Sequence, residues 1–222
     1  VLLFLALPAF SAQAAPELSC KSYLIYDYTS QQIVAVDNPD NRQPIASLTK
    51  LMTAVLACEN LRFDGRYLLN DEEKKAFKSD SLRADKILEL MLVASNNLAC
   101  KTVARIVAGD EASFARQMTA RARDFGMNNT RFINASALPG EGQYSTMEDM
   151  LRLTLTVLKY PRIRETMTCH DCVKCGGQDF KPTLGQLYAR HPGLIGGKTG
   201  YTKAAGRCLI LLYNSGGRDY IV

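Results

Sequence analysis

The chain has 222 residues, 47% hydrophobic and 22% charged, a balance that excludes intrinsic disorder and suffices for one large domain or two small lobes. Its net charge of +5, from 27 basic and 22 acidic residues, is mild and diffuse. With no stretch interleaving basic and aromatic residues, that charge argues against nucleic-acid binding and suits an anionic wall or membrane surface.

Val1 to Phe10 is an uncharged apolar run followed by Ser11-Ala12-Gln13-Ala14-Ala15-Pro16. An apolar segment and then a small-x-small site reads as a secretory signal peptide, over residues 1–14, entered part-way through. The run is shorter than the ~20 residues that span a bilayer. The protein is therefore expected to be exported, with its folded region over residues 21–222.

Ser22 to Asp27 and Gln32 to Asp37 are β-branched and aromatic runs joined by Tyr28-Thr29-Ser30-Gln31, which predicts a hairpin. Asn38-Pro39-Asp40-Asn41 breaks the sheet and leads to Pro44-Ile45-Ala46-Ser47-Leu48-Thr49-Lys50-Leu51-Met52-Thr53. In that stretch Leu48, Leu51, Met52, Val55 and Leu56 recur at helical spacing, and Pro44 puts the helix start near Ile45 to Ser47. Ser47 then sits in the first turn, where unpaired N–H groups favour negative charge, with Lys50 on the same side. A hydroxyl, an amine and a positive helix end describe an activated serine. The plain alternative is a surface Ser and Lys on an ordinary amphipathic helix.

Arg62 to Ser81 is polar and turn-rich, with a short strand at Tyr67-Leu68-Leu69 and a charge run, Asp71 to Lys75, read as a solvated face. Asp85 to Ala108 reads as helix, break, helix, with Ser95-Asn96-Asn97 at the break. Asp110 to Phe125 is a further helix closed by Gly126, and Asn128 to Gly142 a loop. Ser145-Thr146-Met147-Glu148 has capping-box spacing and opens a helix that Pro161 is expected to stop. After Cys169, Cys172 and Cys175, Gly196 to Thr202 precedes a strand over Arg207 to Tyr213. Ser215-Gly216-Gly217-Arg218 is a hairpin turn into a last strand, which is expected to continue past the end of the sequence.

Strands, a long helical block and strands again predict an α/β (α+β) fold. Its antiparallel sheet would combine N- and C-terminal strands, flanked by helices, with an all-helical lobe inserted. The seven cysteines of an exported chain suggest disulfides, although Cys58 and Cys100 read as buried thiols. Around Cys169, Cys172 and Cys175, a disulfide with a spare thiol is favoured over a zinc site completed by His170. No metal and no cofactor are expected.

Three patterns stand in order along the chain: Ser47-x-x-Lys50, Ser95-x-Asn97 and Lys198-Thr199-Gly200. This set is shared by penicillin-binding proteins and class A β-lactamases. Together with Ile45 to Thr53, Gly196 to Thr202, Gly126 to Phe132 and Tyr144-Ser145-Thr146, it resembles the D-alanyl-D-alanine carboxypeptidases among the low-molecular-weight penicillin-binding proteins. The resemblance implies the β-lactamase/transpeptidase-like fold, peptidoglycan stem peptides as substrate and β-lactam antibiotics as ligands. It also implies association with a membrane surface through a C-terminal region beyond this sequence.

In that family Ser47 would attack the bond between two terminal D-alanines and Lys50 would take its proton. Burial and a second cation, Lys198, would have to lower the Lys50 pKa from the ~10.4 of a free lysine. Ser95 would relay the proton to the leaving amine, and Asn97 would orient Lys50 and the substrate amide. Lys198 and Thr199 would bind the terminal carboxylate, Gly200 would allow close approach, and the N–H groups of Ser47 and Tyr201 would form the oxyanion hole.

The chain departs from the family pattern at residues 169 to 176 and at Ala137, where glycine is common. A class A β-lactamase would need Glu-x-x-x-Asn, which none of Glu111, Glu141, Glu148 or Glu165 begins. No Gly-x-Ser-x-Gly supports a Ser-His-Asp hydrolase. An endopeptidase acting on cross-links, or a penicillin sensor that never turns over, would carry the same machinery.

Overall fold

The computed structural model describes residues 19–138 and 142–222, so the expected export signal lies outside the described residues. Strands β1 (Tyr23–Asp27) and β2 (Gln32–Asp37) pair antiparallel as the expected hairpin. Its turn is held by Asp27, whose Oδ1 accepts the N–H groups of Thr29 at 2.9 Å and Ser30 at 3.0 Å. A short 3₁₀ turn over Ala46–Thr49 runs into α1 (Lys50–Asn60). Next come β3 (Arg66–Leu68), α2 (Asp71–Phe77), β4 (Ser81–Arg83), α3 (Ala84–Leu92), α4 (Asn97–Ala108) and α5 (Glu111–Asp124). The chain continues through α6 (Met147–Val157), α7 (Pro161–Met167), β5 (Val173–Cys175), β6 (Gln178–Phe180) and α8 (Gly185–Arg190). It closes on β7 (Leu194–Thr202), β8 (Gly206–Ser215) and β9 (Arg218–Ile221).

The main sheet has five strands in the order β2-β1-β9-β8-β7. Strands β1 and β9, far apart in sequence, meet within it: Tyr26 pairs with Ile221 and Asp27 with Tyr220, while Arg218 reaches the buried Asp27 carboxylate at 3.1 Å. The helical block is thus an insertion between strands of one sheet, as the alternation of patterns predicts, and β7 is left as an edge. Helix α1 is the axis of the core. Every residue from Lys50 to Ala57 is buried, which is the expected burial of a helix apolar almost all round. Among the described residues no helix is long and apolar enough to cross a membrane.

The structure corrects several local expectations. The charge run Asp71 to Lys75 is not simply a solvated face. It opens α2, which Asn70 caps through a reciprocal capping box with Glu73, and Glu73 is buried at 1% exposure against Arg105 and Thr102. Thr146 rather than Ser145 caps α6, accepting from Asp149 N, because the Ser145 hydroxyl is engaged with Thr130 at 2.7 Å. Pro161 begins α7 instead of ending α6, since a proline at the first helical position gives up no intrahelical bond. The favoured disulfide among Cys169, Cys172 and Cys175 is absent: all seven cysteines are free thiols, and β5 and β6 make the Cys-rich excursion a small hairpin. Among the described residues, no group of three His, Cys, Asp or Glu side chains is placed to hold a metal ion.

Candidate active site

Ser47 lies in the 3₁₀ turn that leads into α1, and Lys50 is the first residue of that helix. The turn is tight enough to hold Ala46 at φ +46°, in the left-handed region. Lys50 Nζ is 2.8 Å from Ser47 Oγ, 2.7 Å from Asn97 Oδ1 and 2.8 Å from the carbonyl oxygen of Ser136. The last two partners can only accept, so they occupy two amine hydrogens. In the neutral amine this leaves the lone pair for the Ser47 hydroxyl, the arrangement a general base requires.

Asn97 reaches Lys50 because the chain breaks between α3 and α4. Asn96 caps α4 by accepting from Ala99 N at 3.0 Å, which turns the first residue of the helix toward α1. Ser95 sits in that break at φ +55°, a strained conformation for a residue with a side chain, and its hydroxyl accepts from Lys198 Nζ at 2.9 Å. Lys198 also donates to the carbonyl of Thr199 at 2.8 Å. The second amine is therefore bonded to Ser95, not to Ser47.

Gly200 brings the two groups together. A Cβ at this position would lie 2.8 Å from Ser47 N and 3.0 Å from Ala46 Cβ, so only glycine lets edge strand β7 pass against the serine turn. Thr199 and Gly200 are half-buried, and Tyr201 is exposed at 67%.

Both lysines are fully buried, at 0% exposure, and every bonded partner is neutral. Burial lowers the Lys50 pKa below the ordinary lysine value. Lys198 falls to about 7, first through burial and then through repulsion by Lys50. Of the two causes the sequence argument named for Lys50, burial is the one that lowers it, and the repulsion between the amines shows at Lys198 instead. Both shifts favour loss of a proton from the cleft.

Sequence reasoning missed Ser136. Its contribution is a backbone carbonyl, which has no side-chain signature, and it lay in a segment read only as loop. Its place is fixed from α1: Thr53 Oγ1 donates to the Ala135 carbonyl at 2.6 Å, one residue before the carbonyl that Lys50 takes. The nearest signal was Ala137, which adopts φ +70° where the family commonly has glycine.

A buried amine poised on a helix-mouth serine, beside an edge strand carrying a second buried amine, defines a serine peptidase of the penicillin-binding, transpeptidase-like fold. The chain belongs to the D-alanyl-D-alanine carboxypeptidase family Peptidase_S11, whose sequence profile matches residues 9–222. It is 29% identical over 218 residues to a D-alanyl-D-alanine endopeptidase of Escherichia coli, covering 91% of this chain and 70% of that one. The D-alanyl-D-alanine carboxypeptidase DacF of Bacillus subtilis is also 29% identical, over 94% of this chain, but this chain spans only 59% of its length.

Among solved structures, the ampicillin-bound penicillin-binding protein D2 of Listeria monocytogenes superposes with a TM-score of 0.81 at 29% identity, covering 94% of this chain and 90% of that one. A D-alanyl-D-alanine carboxypeptidase of Mycobacterium tuberculosis gives 0.84 at 25% identity, with 95% and 84% covered.

Proposed function

We propose that this chain is a serine D,D-carboxypeptidase that removes the terminal D-alanine of peptidoglycan stem peptides through an acyl-enzyme on Ser47. The observation that carries the reading is the 2.8 Å contact from Lys50 Nζ to Ser47 Oγ, with the other amine positions taken by acceptors. Lys50 accepts the hydroxyl proton as Ser47 Oγ bonds to the carbonyl carbon. The N–H groups of Ser47 and Tyr201 receive the developing oxyanion, each worth about a hundredfold or more in rate. Asn97 holds Lys50 and the substrate amide.

As the C–N bond breaks, Ser95 passes a proton to the departing amine, and the D-alanine carboxylate is held by Lys198 and Thr199. Water then cleaves the ester and returns the Ser47 hydroxyl. The rest of the substrate lies along β7, whose unpaired side is available to an extended peptide. β-Lactams, which carry a strained amide and a carboxylate, would acylate the same serine. With residues 1–14 as an export signal, the enzyme would work outside the cytoplasmic membrane.

The test is release of D-alanine from a stem pentapeptide by the wild type and by Ser47→Ala, with fluorescent penicillin labelling alongside. The proposal expects release and labelling from the wild type and neither from the variant. Labelling without release would replace it with a penicillin sensor.

A further inference from the structure

The direction of the leaving group can be read along β7. Gly200 is level with Ser47, and Lys198, two residues back, is bonded to Ser95 across the cleft. At about 3.3 Å per residue this interval is roughly 7 Å, enough for one residue and its carboxylate. Anything larger than that residue has to extend further back, toward Gly196 and Ile195.

That end of the cleft is closed. The carbonyl of Met167, at the end of α7, lies 2.4 Å from where a Gly196 Cβ would be. His170 Nε2 is 3.2 Å from the Ile195 carbonyl, which can only accept, so the ring donates to the backbone of β7. The same ring stacks on Tyr188 of α8, with centroids 3.6 Å apart and planes at 24°. The segment ahead of α8 is pinned across the cleft, because Thr183 N donates to the Val93 carbonyl at 3.0 Å, two residues before Ser95. Between these walls a cavity of about 10 Å³ remains, lined by Val93, Tyr188 and Gly197 among others, with room for no more than one water molecule. Burial pushes the Tyr188 phenol up to about 12, so that ring stays neutral against His170 at neutral pH.

We infer that the segment from Met167 to Tyr188 is an end wall of the cleft, and that His170 and Tyr188 are specificity-determining residues that admit only a single small leaving residue ending in a carboxylate. The inference rests on the carboxypeptidase reading and sharpens it. Terminal D-alanine fits between Ser47 and the wall. The bulky leaving group of a cross-linked stem dimer does not. Neither residue touches the reacting atoms, and the Cys-rich excursion that departs from the family pattern is what delivers His170 to β7.

The experiment compares D-alanine release from a soluble pentapeptide with cleavage of a purified cross-linked stem dimer, for the wild type, Tyr188→Ala, His170→Ala and the control Tyr188→Phe. Penicillin acylation measures the folded, active fraction of each. The wild type should favour the pentapeptide by about a hundredfold in kcat/KM. Tyr188→Ala and His170→Ala should each narrow that preference by about tenfold, chiefly through faster dimer cleavage, while Tyr188→Phe keeps it. Comparable wild-type rates on both substrates, or a preference unmoved in both alanine variants, would overturn the end wall while leaving the carboxypeptidase reading intact. A penicillin-acylated wild type that releases no D-alanine would overturn both.

Discussion

Two of the regions in which this molecule buries charge do so in opposite ways. Between α2 and α4, Glu73 is buried with its opposite: Arg105 Nη2 lies 2.6 Å from Oε2, and Thr102 Oγ1 and the Asn70 N–H complete the carboxylate's bonds. Burial alone would raise its pKa, but Arg105, the Asn70 N–H and Thr102 together hold it below the ordinary value. In the cleft, Lys50 and Lys198 are buried with like charge for company and only carbonyls, an amide and hydroxyls as partners. A compensated buried charge ties elements together; an uncompensated pair drives a proton off and leaves a base. The first arrangement serves the fold, and the second spends stability on chemistry.

The widest separation between the two regions should come from Lys50→Met. Penicillin acylation should fall by about 10²–10⁴-fold, the range for a lost general base, with no loss of stability in urea unfolding, because a buried cation has been replaced by an apolar chain of similar length. A large loss of stability there would mean that Lys50 is structural. Glu73→Gln should behave in reverse. It should cost about 1–2 kcal/mol in the same unfolding measurement through weakened bonds to the partly exposed Arg105, while the acylation rate per folded molecule stays unchanged.

pH should separate the regions again, by the window in which each group titrates. With Lys198 at about 7 in the folded state against an ordinary 10.5, the unfolded chain binds more protons between those values. Its contribution to unfolding free energy should therefore climb from pH 7 toward 10.5 and be flat below, a slope that Lys198→Met should lack. Penicillin acylation should slow as the pH falls and the cleft amines regain their protons, because a protonated Lys50 cannot take the proton of Ser47. Glu73 has the same sign of slope in an acid window: its folded pKa is lowered from 4.5, so its stabilisation is present above that value and lost as acid brings the pH through the lowered one.

The smallest effect belongs to the loop between these regions. Ala137→Gly should raise stability by about 0.5–1 kcal/mol in thermal or urea unfolding, the relief at φ +70° being partly offset by the entropy of glycine in the unfolded chain.

How much of this was legible beforehand depended on where the information is stored. The hairpin at β1 and β2, the break at Ser95 to Asn97 and the strand after Gly200 follow from local patterns, and the structure has them within a residue or two. The burial of Glu73 was not legible, because Asp71 to Lys75 looks like any solvated run until Arg105, 32 residues on, arrives above it. Pro161 was read as a stop when it is a start; the dipeptide does not say on which side the helix lies. Ser136 escaped because carbonyls are common to all residues.

What the sequence determined by itself was the chemistry available: a serine one helical turn from a lysine, a Ser-x-Asn break, and a Lys-Thr-Gly strand, each set by spacing along a single element. What only the tertiary structure decided was which amine faces which hydroxyl, how deeply both are buried, and what closes the cleft behind Lys198. Those depend on contacts between elements that lie far apart in the chain. A pKa is set by the solvent and charge a group loses on folding, and no local pattern records that loss.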